Sequence, residues 1–191
     1  FLLLSSSRII CPINEILSST NVNDVLRRFI ETGELAPEKT LPSVAPSMDI
    51  QVPSSLERLI FDFTESAFDF YDTLSREHKA KLSDEKIIEL NHVFSSSTFL
   101  DDDIKNEIKS LHEEFGAIFD PHSVTSIRMA LDNKGSIPTV AVATASPEKF
   151  SNIIAPLIST SSEIIIDEKE EYLTLENDKF AISSTIKSYF S

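Results

Sequence analysis

Thr144 closes the most β-rich apolar run of the sequence, Pro138 to Ala145, which is bounded by Gly135-Ser136 and Ser146-Pro147. A hydroxyl at the carboxyl end of a strand stands where ligands bind in open α/β sheets. Such a hydroxyl can equally bond nearby backbone, and the sequence leaves both roles open. Asn21, Asn23 and Asp24 form a second group. They lie at a predicted strand-to-helix junction, and helix N-termini attract phosphate and carboxylate groups. They are therefore candidates for the border of a substrate pocket. Capping alone explains Asn21 as N-cap and Asp24 at the positive helix end. It does not explain Asn23.

The remaining chemistry-bearing residues are weaker candidates. His122 follows Asp120-Pro121. A single His without an identified partner is not an acid/base dyad, so a bond to a loop carbonyl is its simpler role. Ser47, Met48 and Asp49 occupy a Pro-bounded loop, where they either line a site mouth or lock the crossover. Asp101, Asp102 and Asp103 lack the glycine and terminal Glu of a calcium loop. They suit the positive end of a helix. Lys149 is expected to be solvated, and His78, His92 and His112 have no metal spacing, so no metal site is predicted. Cys11 is the sole cysteine. It excludes an internal disulfide framework and a Cys-rich zinc site, and reads as a small buried residue.

Composition narrows the function classes further. The chain has 191 residues, with 17 Lys+Arg against 31 Asp+Glu, a formal charge of −14. Nucleic acid needs a basic footprint, and an anionic membrane surface attracts basic segments, so both are excluded as partners. Glycine occurs only at Gly33, Gly116 and Gly135. A Gly-rich phosphate loop is therefore absent from the chain. Phe1 to Leu4 is too short an apolar run to span a bilayer, and it is not flanked as a signal peptide would be. The single cysteine favours a reducing, cytoplasmic setting. The missing initiator Met leads us to expect a fragment.

The elements that must position these residues follow from periodicity. A buried strand is predicted within residues 13–20, then a helix from Asn21 to Gly33 with Val25, Leu26, Phe29 and Ile30 on one face. Residues 34–53 carry Pro37, Pro42, Pro46 and Pro53 and read as an irregular excursion. One helix is predicted over 54–74, opened by a Ser54/Glu57 capping box. Others are predicted over 83–94 and over 101–115, the latter with Ile104, Ile108, Leu111 and Phe115 facing inward. Asp120-Pro121 opens a helix to 133. The strand 138–145 precedes a helix over 146–158. Ile164 to Ile166 is predicted as a short strand, and 174–190 as a terminal amphipathic helix. Few strands among many helices describe part of an α/β sheet with a helical insertion. Two short strands make no stable sheet alone, so the rest of the sheet is expected upstream.

Four segments together resemble threonine synthase, a pyridoxal-phosphate-dependent family of fold type II, related in fold to the tryptophan synthase β subunit. The first is Ser19-Thr20-Asn21-Val22-Asn23-Asp24 followed by Arg28-Phe29, like T-N-x-N-D with R-F. The second is Pro46-Ser47-Met48-Asp49-Ile50 with Pro53-Ser54 and Glu57-Arg58, like S-M-D-I and P-S-N-x-E-R. The third is Asp120-Pro121-His122-Ser123, like D-P-H-T, and the fourth is Ala143-Thr144-Ala145-Ser146-Pro147-Glu148-Lys149-Phe150, like A-T-A-H-P-A-K-F. The resemblance covers residues 9–191 and only the C-terminal part of the family. Ser55, Ser146, Glu148 and Val124-Thr125-Ser126 depart from the family pattern.

The resemblance implies three parts: residues 1–53 as the end of the cofactor-binding α/β domain with a crossover loop, 54–135 as a helical insertion, and 136–191 as a strand and helices returning to that domain. It implies pyridoxal 5'-phosphate as cofactor of the full-length parent, with the Thr144 hydroxyl facing the pyridine nitrogen. A neutral hydroxyl there moderates the electron-sink strength of the ring. Asn21, Asn23 and Asp24 would border the substrate, O-phospho-L-homoserine, which a carbon–oxygen lyase of this kind converts with water to L-threonine and phosphate. The family's Schiff-base lysine and its G-N-F-G-type phosphate loop have no counterpart here, so no catalytic residue is identified and the chain alone is expected to be inactive. Two alternatives remain at this stage: a phospho-lyase releasing a 2-oxo acid, and a non-catalytic interaction module using the apolar face of 54–74. The oligomeric state is left open.

Overall fold

The computed structural model describes residues 13–64, 66–158 and 178–189. The expected strand at Ile164–Ile166 and Cys11 lie outside them. The first element is β1, Ile16–Thr20, which runs parallel to β4, Phe94–Thr98, in the register Ile16 to Phe94 through Thr20 to Thr98. Both strands end in the run Ser-Ser-Thr. Their hydroxyls bond across the ladder, Thr20 Oγ1 to Thr98 Oγ1 at 2.9 Å and Ser96 Oγ donating to the Ser18 carbonyl at 3.1 Å. Hydroxyl pairs of this kind support a sheet. They also hide it from sequence reading, because Ser95 to Thr98 has no apolar alternation, and β4 was not predicted.

Helix α1, Val25–Thr32, buries Val25, Phe29 and Ile30. It starts four residues after Asn21. The N-cap is Asp24, whose side chain makes no capping bond, so the expected capping role of Asn21 is not adopted. Gly33 ends the helix at φ 71°, its N–H donating to the Phe29 carbonyl at 2.7 Å. Two-residue strands β2, Glu34–Leu35, and β3, Ala80–Lys81, then pair antiparallel. Between them the predicted 54–74 helix is broken into α2, Leu56–Thr64, and α3, Phe68–Glu77. The Thr64 hydroxyl bonds to both the Ile60 and the Ser66 carbonyls, and this local back-bonding competes with continuation of the helix. The break turns Phe70 inward to meet Phe29 edge-to-face, with centroids 6.2 Å apart. Helix α4, Asp84–Val93, is capped by Ser83, whose hydroxyl accepts from the Lys86 N–H.

These elements enclose a first core of Val25, Phe29, Leu35, Leu56, Leu59, Ile60, Phe70, Leu74 and Leu90. The apolar face of 54–74 that an interaction module would present is thus the protein's own core. Among its described large apolar residues, Phe61 and Phe68 alone stay largely exposed. A second core gathers Ile104, Ile108 and Leu111 of α5, Asp101–Phe115, with Val124 of α6, Ser123–Asp132, and with Ala45, Ile154 and Ile158. Phe115 was expected on the inner face but is 52% exposed, because the apolar stripe of α5 ends one turn earlier at Leu111. Residues 147–158 form a 3-10 turn and the short helix α7, Ser151–Ile154, in place of the continuous helix predicted there. Lys179–Tyr189 forms α8.

Residues 138–145, the best strand by sequence, form no ladder among the described residues. Their composition suits a strand, but no partner lies alongside, and Ile137, Val140 and Val142 remain exposed. A shallow cavity of about 320 Å³ lies between this segment and α6, lined by Ile127, Leu131, Ile137 and Pro138 among others.

Gly33 and Gly116 test the packing. Both have positive φ, but a Cβ at Gly33 would stand 2.3 Å from Ile87 Cγ1, whereas one at Gly116 meets nothing within 4 Å. Gly116→Ala is expected to lower stability by about 1 kcal/mol through the left-handed backbone alone. Gly33→Ala is expected to lower it by about 3 kcal/mol, since overpacking adds to the same penalty. Urea midpoints of the two variants compare these costs, and equal shifts would contradict the Ile87 clash.

Candidate functional site

The turn after β1 is built around one carboxylate. Asp49 accepts from Asn21 Nδ2 at 2.6 Å, Ser43 Oγ at 2.6 Å, Asn23 Nδ2 at 3.1 Å and the Ser43 N–H at 3.1 Å. Four donors meet its charge, and charge-assisted bonds of this type are the strong ones. Asn21 is wholly buried. Its other amide contacts are the Ser43 hydroxyl at 2.7 Å and the Ala45 carbonyl, while its Oδ1 accepts from the Asn23 N–H at 2.9 Å in an Asx turn. Asn23 pairs with both backbone groups of Leu41, donating to the carbonyl and accepting from the N–H at 2.8 Å each. A side-chain amide carries a donor and an acceptor side by side and so matches both backbone groups. This is the role that capping did not explain. Asp49 therefore locks the crossover, the second of the two roles the sequence left open for it.

Asp24 points away from this lock. Its carboxylate pairs with Arg27 and Arg28, and Arg27 also reaches Thr98 Oγ1 at 3.0 Å and Glu31. Burial pushes the Asp24 carboxyl up, but the bonds from Arg27 and Arg28 outweigh it, and the group sits below the ordinary Asp value of 3.8.

The D-P-H-S segment gathers the third group of polar side chains, all buried: Asp120, His122, Ser123 and Thr125. Asp120 Oδ1 accepts from the His122 N–H at 2.9 Å and lies 2.8 Å from His122 Nδ1. The Ser47 N–H donates to His122 Nε2 at 3.1 Å, so the ring accepts at Nε2 and donates at Nδ1. The Ser123 hydroxyl donates to Asp120 Oδ2. Asp, His and Ser thus meet, but without the geometry of a nucleophilic triad. The serine bonds the aspartate directly, and the far ring nitrogen is held by backbone, leaving no base to activate the hydroxyl. The expected bond from His122 to a loop carbonyl is replaced by acceptance from a loop N–H.

Thr144 lies in the unpaired 138–145 segment and is exposed. Its N–H donates to Ser123 Oγ at 3.0 Å. No hydrogen bond among the described residues engages its hydroxyl, which leaves that oxygen available to a ligand. Thr125 Oγ1 lies 2.8 Å from Ser19 Oγ on β1, so α6 connects the Thr144 segment to the strand that leads into the Asn21 turn. Asn21 and Asn23 are thus brought together. Thr144 is joined to them through α6, and Asp24 faces its own arginine pair. Sequence reasoning missed Ser123, Ser126 and Thr125, whose one signal was their place within or just after D-P-H-S.

The comparisons fall on the same architecture. The threonine synthase of Pseudomonas aeruginosa is 26% identical over 93% of this chain and 41% of its own length. That of Corynebacterium glutamicum is 28% identical over 92% of this chain and 40% of its own. The solved structure of pyridoxal-phosphate-bound threonine synthase from Brucella melitensis matches 93% of this chain and 41% of its own with a TM-score of 0.77 at 25% identity.

The chain resembles the C-terminal portion of threonine synthase.

It spans about two fifths of the length of the threonine synthases it matches. The yeast threonine synthase structure agrees, with a TM-score of 0.75 at 25% identity over 83% of this chain. The fold is accordingly that of a fold-type-II enzyme, with few strands and several helices. No protein-family model matches the chain. Among the described residues no helix is long and apolar enough to cross a membrane.

Two substitutions probe the turn. Asn23→Asp turns an oxygen toward the Leu41 carbonyl and Asp49, and is expected to cost about 3 kcal/mol at neutral pH, read as a fall in urea midpoint. A neutral result would mean that the Leu41 pairing contributes nothing. Asp24 is a linkage probe. Its native pKa is lowered, so the stability it contributes is present above 3.8 and lost as pH falls through the depressed value. Asp24→Asn should lower stability by about 1 kcal/mol at pH 7 and by almost nothing near pH 2. Midpoints measured across that range check the convergence.

Proposed function

We propose that this chain is the C-terminal part of a pyridoxal-phosphate-dependent, threonine-synthase-like lyase that converts O-phospho-L-homoserine and water to L-threonine and phosphate in the cytoplasm. The observation that carries the reading is the match of 93% of the chain to the pyridoxal-phosphate-bound enzyme of Brucella melitensis, at a TM-score of 0.77. The residues present fit the cofactor at one point, because the Thr144 side chain is exposed and its hydroxyl is not engaged by protein. When bound, pyridoxal phosphate supplies the electron sink for carbanions adjacent to the substrate amine.

Thr144 would hold the pyridine nitrogen by a neutral hydrogen bond. A hydroxyl does not transfer a full proton there, so it tempers the sink rather than maximising it. Asn21 and Asn23 would shape the substrate border rather than reach into it, because their amides hold the 41–51 loop. Asp24 would keep the two arginines oriented at the same border. The reactive lysine and the phosphate cradle are assigned to another part of the parent enzyme. With its three scattered glycines, this chain has no cradle to offer.

Assay of the parent enzyme with O-phospho-L-homoserine tests the reading. L-Threonine and phosphate are expected in equal amounts, and a 2-oxo acid as main product would replace synthase with phospho-lyase chemistry. Thr144→Val in that enzyme is expected to lower kcat/KM at least about tenfold. The 191-residue chain alone should form no threonine. Borohydride reduction after incubation with pyridoxal phosphate should fix no stoichiometric adduct on any one lysine, and a single fully labelled lysine would refute the assignment of the anchor elsewhere.

A further inference from the structure

The 138–145 segment has the composition of a strand, yet no neighbouring strand pairs with it among the described residues. Two hydroxyls of α6 stand where that strand would be. Ser123 Oγ accepts from the Thr144 N–H at 3.0 Å, and Ser126 Oγ donates to the Val142 carbonyl at 3.1 Å. In a parallel ladder one residue of the partner strand donates to the carbonyl before, and accepts from the N–H after, the residue opposite it. Ser123 and Ser126 supply that pair of bonds around Ala143. They lie three apart, on one face of the helix.

The direction of the Ser123 bond is set from behind. Ser123 has one hydroxyl hydrogen, and it is committed to Asp120 Oδ2, so its lone pairs face Thr144. Asp120 is wholly buried, and its other oxygen is held by the His122 N–H and lies against His122 Nδ1. The single hydroxyl hydrogen of Ser126 is shared between the Ser123 carbonyl at 2.9 Å and the Val142 carbonyl at 3.1 Å, so its tether is the weaker of the two.

We propose that Ser123 and Ser126 are positioning residues for Thr144, replacing a neighbouring strand with two side-chain bonds that fix where the Thr144 hydroxyl stands. This rests on the cofactor reading of Thr144 given above. Neither serine need touch a ligand, because each acts through the backbone of the segment.

Amide hydrogen exchange in the 191-residue chain, followed by NMR, tests the tether. Ser123→Ala is expected to speed exchange of the Thr144 amide roughly tenfold while leaving the Ile108 amide of α5 unchanged. Ser126→Ala, the milder variant, should speed it severalfold and shift the Val142 carbonyl resonance. An unchanged Thr144 amide in Ser123→Ala would overturn the proposal. So would equal acceleration at Thr144 and Ile108, which marks general loosening. The cofactor side is read separately, from the absorption spectrum of the parent enzyme loaded with pyridoxal phosphate. Ser123→Ala and Thr144→Val should move it in the same direction, and the double variant no further than Thr144→Val alone. Additive shifts would overturn positioning through Thr144. If the exchange pattern holds and neither variant moves the spectrum, the tether stands and the cofactor reading of Thr144 falls.

Discussion

A carboxylate that pairs with no cation among the described residues organises the turn after β1 and the loop that packs on it. Asp49 is reached by two asparagine amides, a serine hydroxyl and a backbone N–H. Removing a charge from water is costly unless hydrogen bonds replace the hydration. Here the replacement comes from residues that lie far apart in the chain. The Pro-rich excursion cannot leave the surface of the first core without stripping those donors away. Irregular backbone has no ladder to satisfy its N–H and C=O groups, and Asn23, Asn21 and Ser43 supply partners at Leu41 and Ala45.

The same excursion joins the two cores. Ala45 is buried in the second, the Val44 N–H donates to Asp101 at 3.2 Å, and the Ser47 N–H donates to His122. His122 in turn leans on Asp120, which polarises Ser123, which holds Thr144. Asn21 and Thr144 come from distant parts of the sequence, yet hydrogen bonds tie the first to the 43–49 loop and the second, through Ser123, Asp120 and His122, to the same loop. Asp120, His122 and Ser123 are buried and bonded to one another, and a buried network whose members are satisfied is rigid.

The surface left unpaired fits a chain that matches about two fifths of its relatives. Val140 is 84% exposed, although its segment has the composition of a buried strand. A β-rich run becomes a strand only when another edge is present to bond with it, and two short strands are the most these residues pair in either sheet.

Local chemistry read correctly at several elements, although Asp120 does not cap its helix, which starts at Ser123 with His122 as N-cap. The helix starting at Asp101, its face of Ile104, Ile108 and Leu111, the Ser83 cap and the Gly33 stop all follow from short-range periodicity and capping. So did the irregularity of the proline loop and the likeness to threonine synthase, carried by short motifs in order. What needed tertiary structure was every choice that depends on a distant partner. Phe94–Thr98 is a strand because β1 lies beside it, Asn21 bonds Asp49 instead of capping a helix, 54–74 breaks so that Phe70 can reach Phe29, and 138–145 stays unpaired for want of an edge. Periodicity records which face of an element meets the core. It carries no record of which polar group, remote in sequence, will answer a buried amide or carboxylate, because that is settled only when the chain brings them within 3 Å.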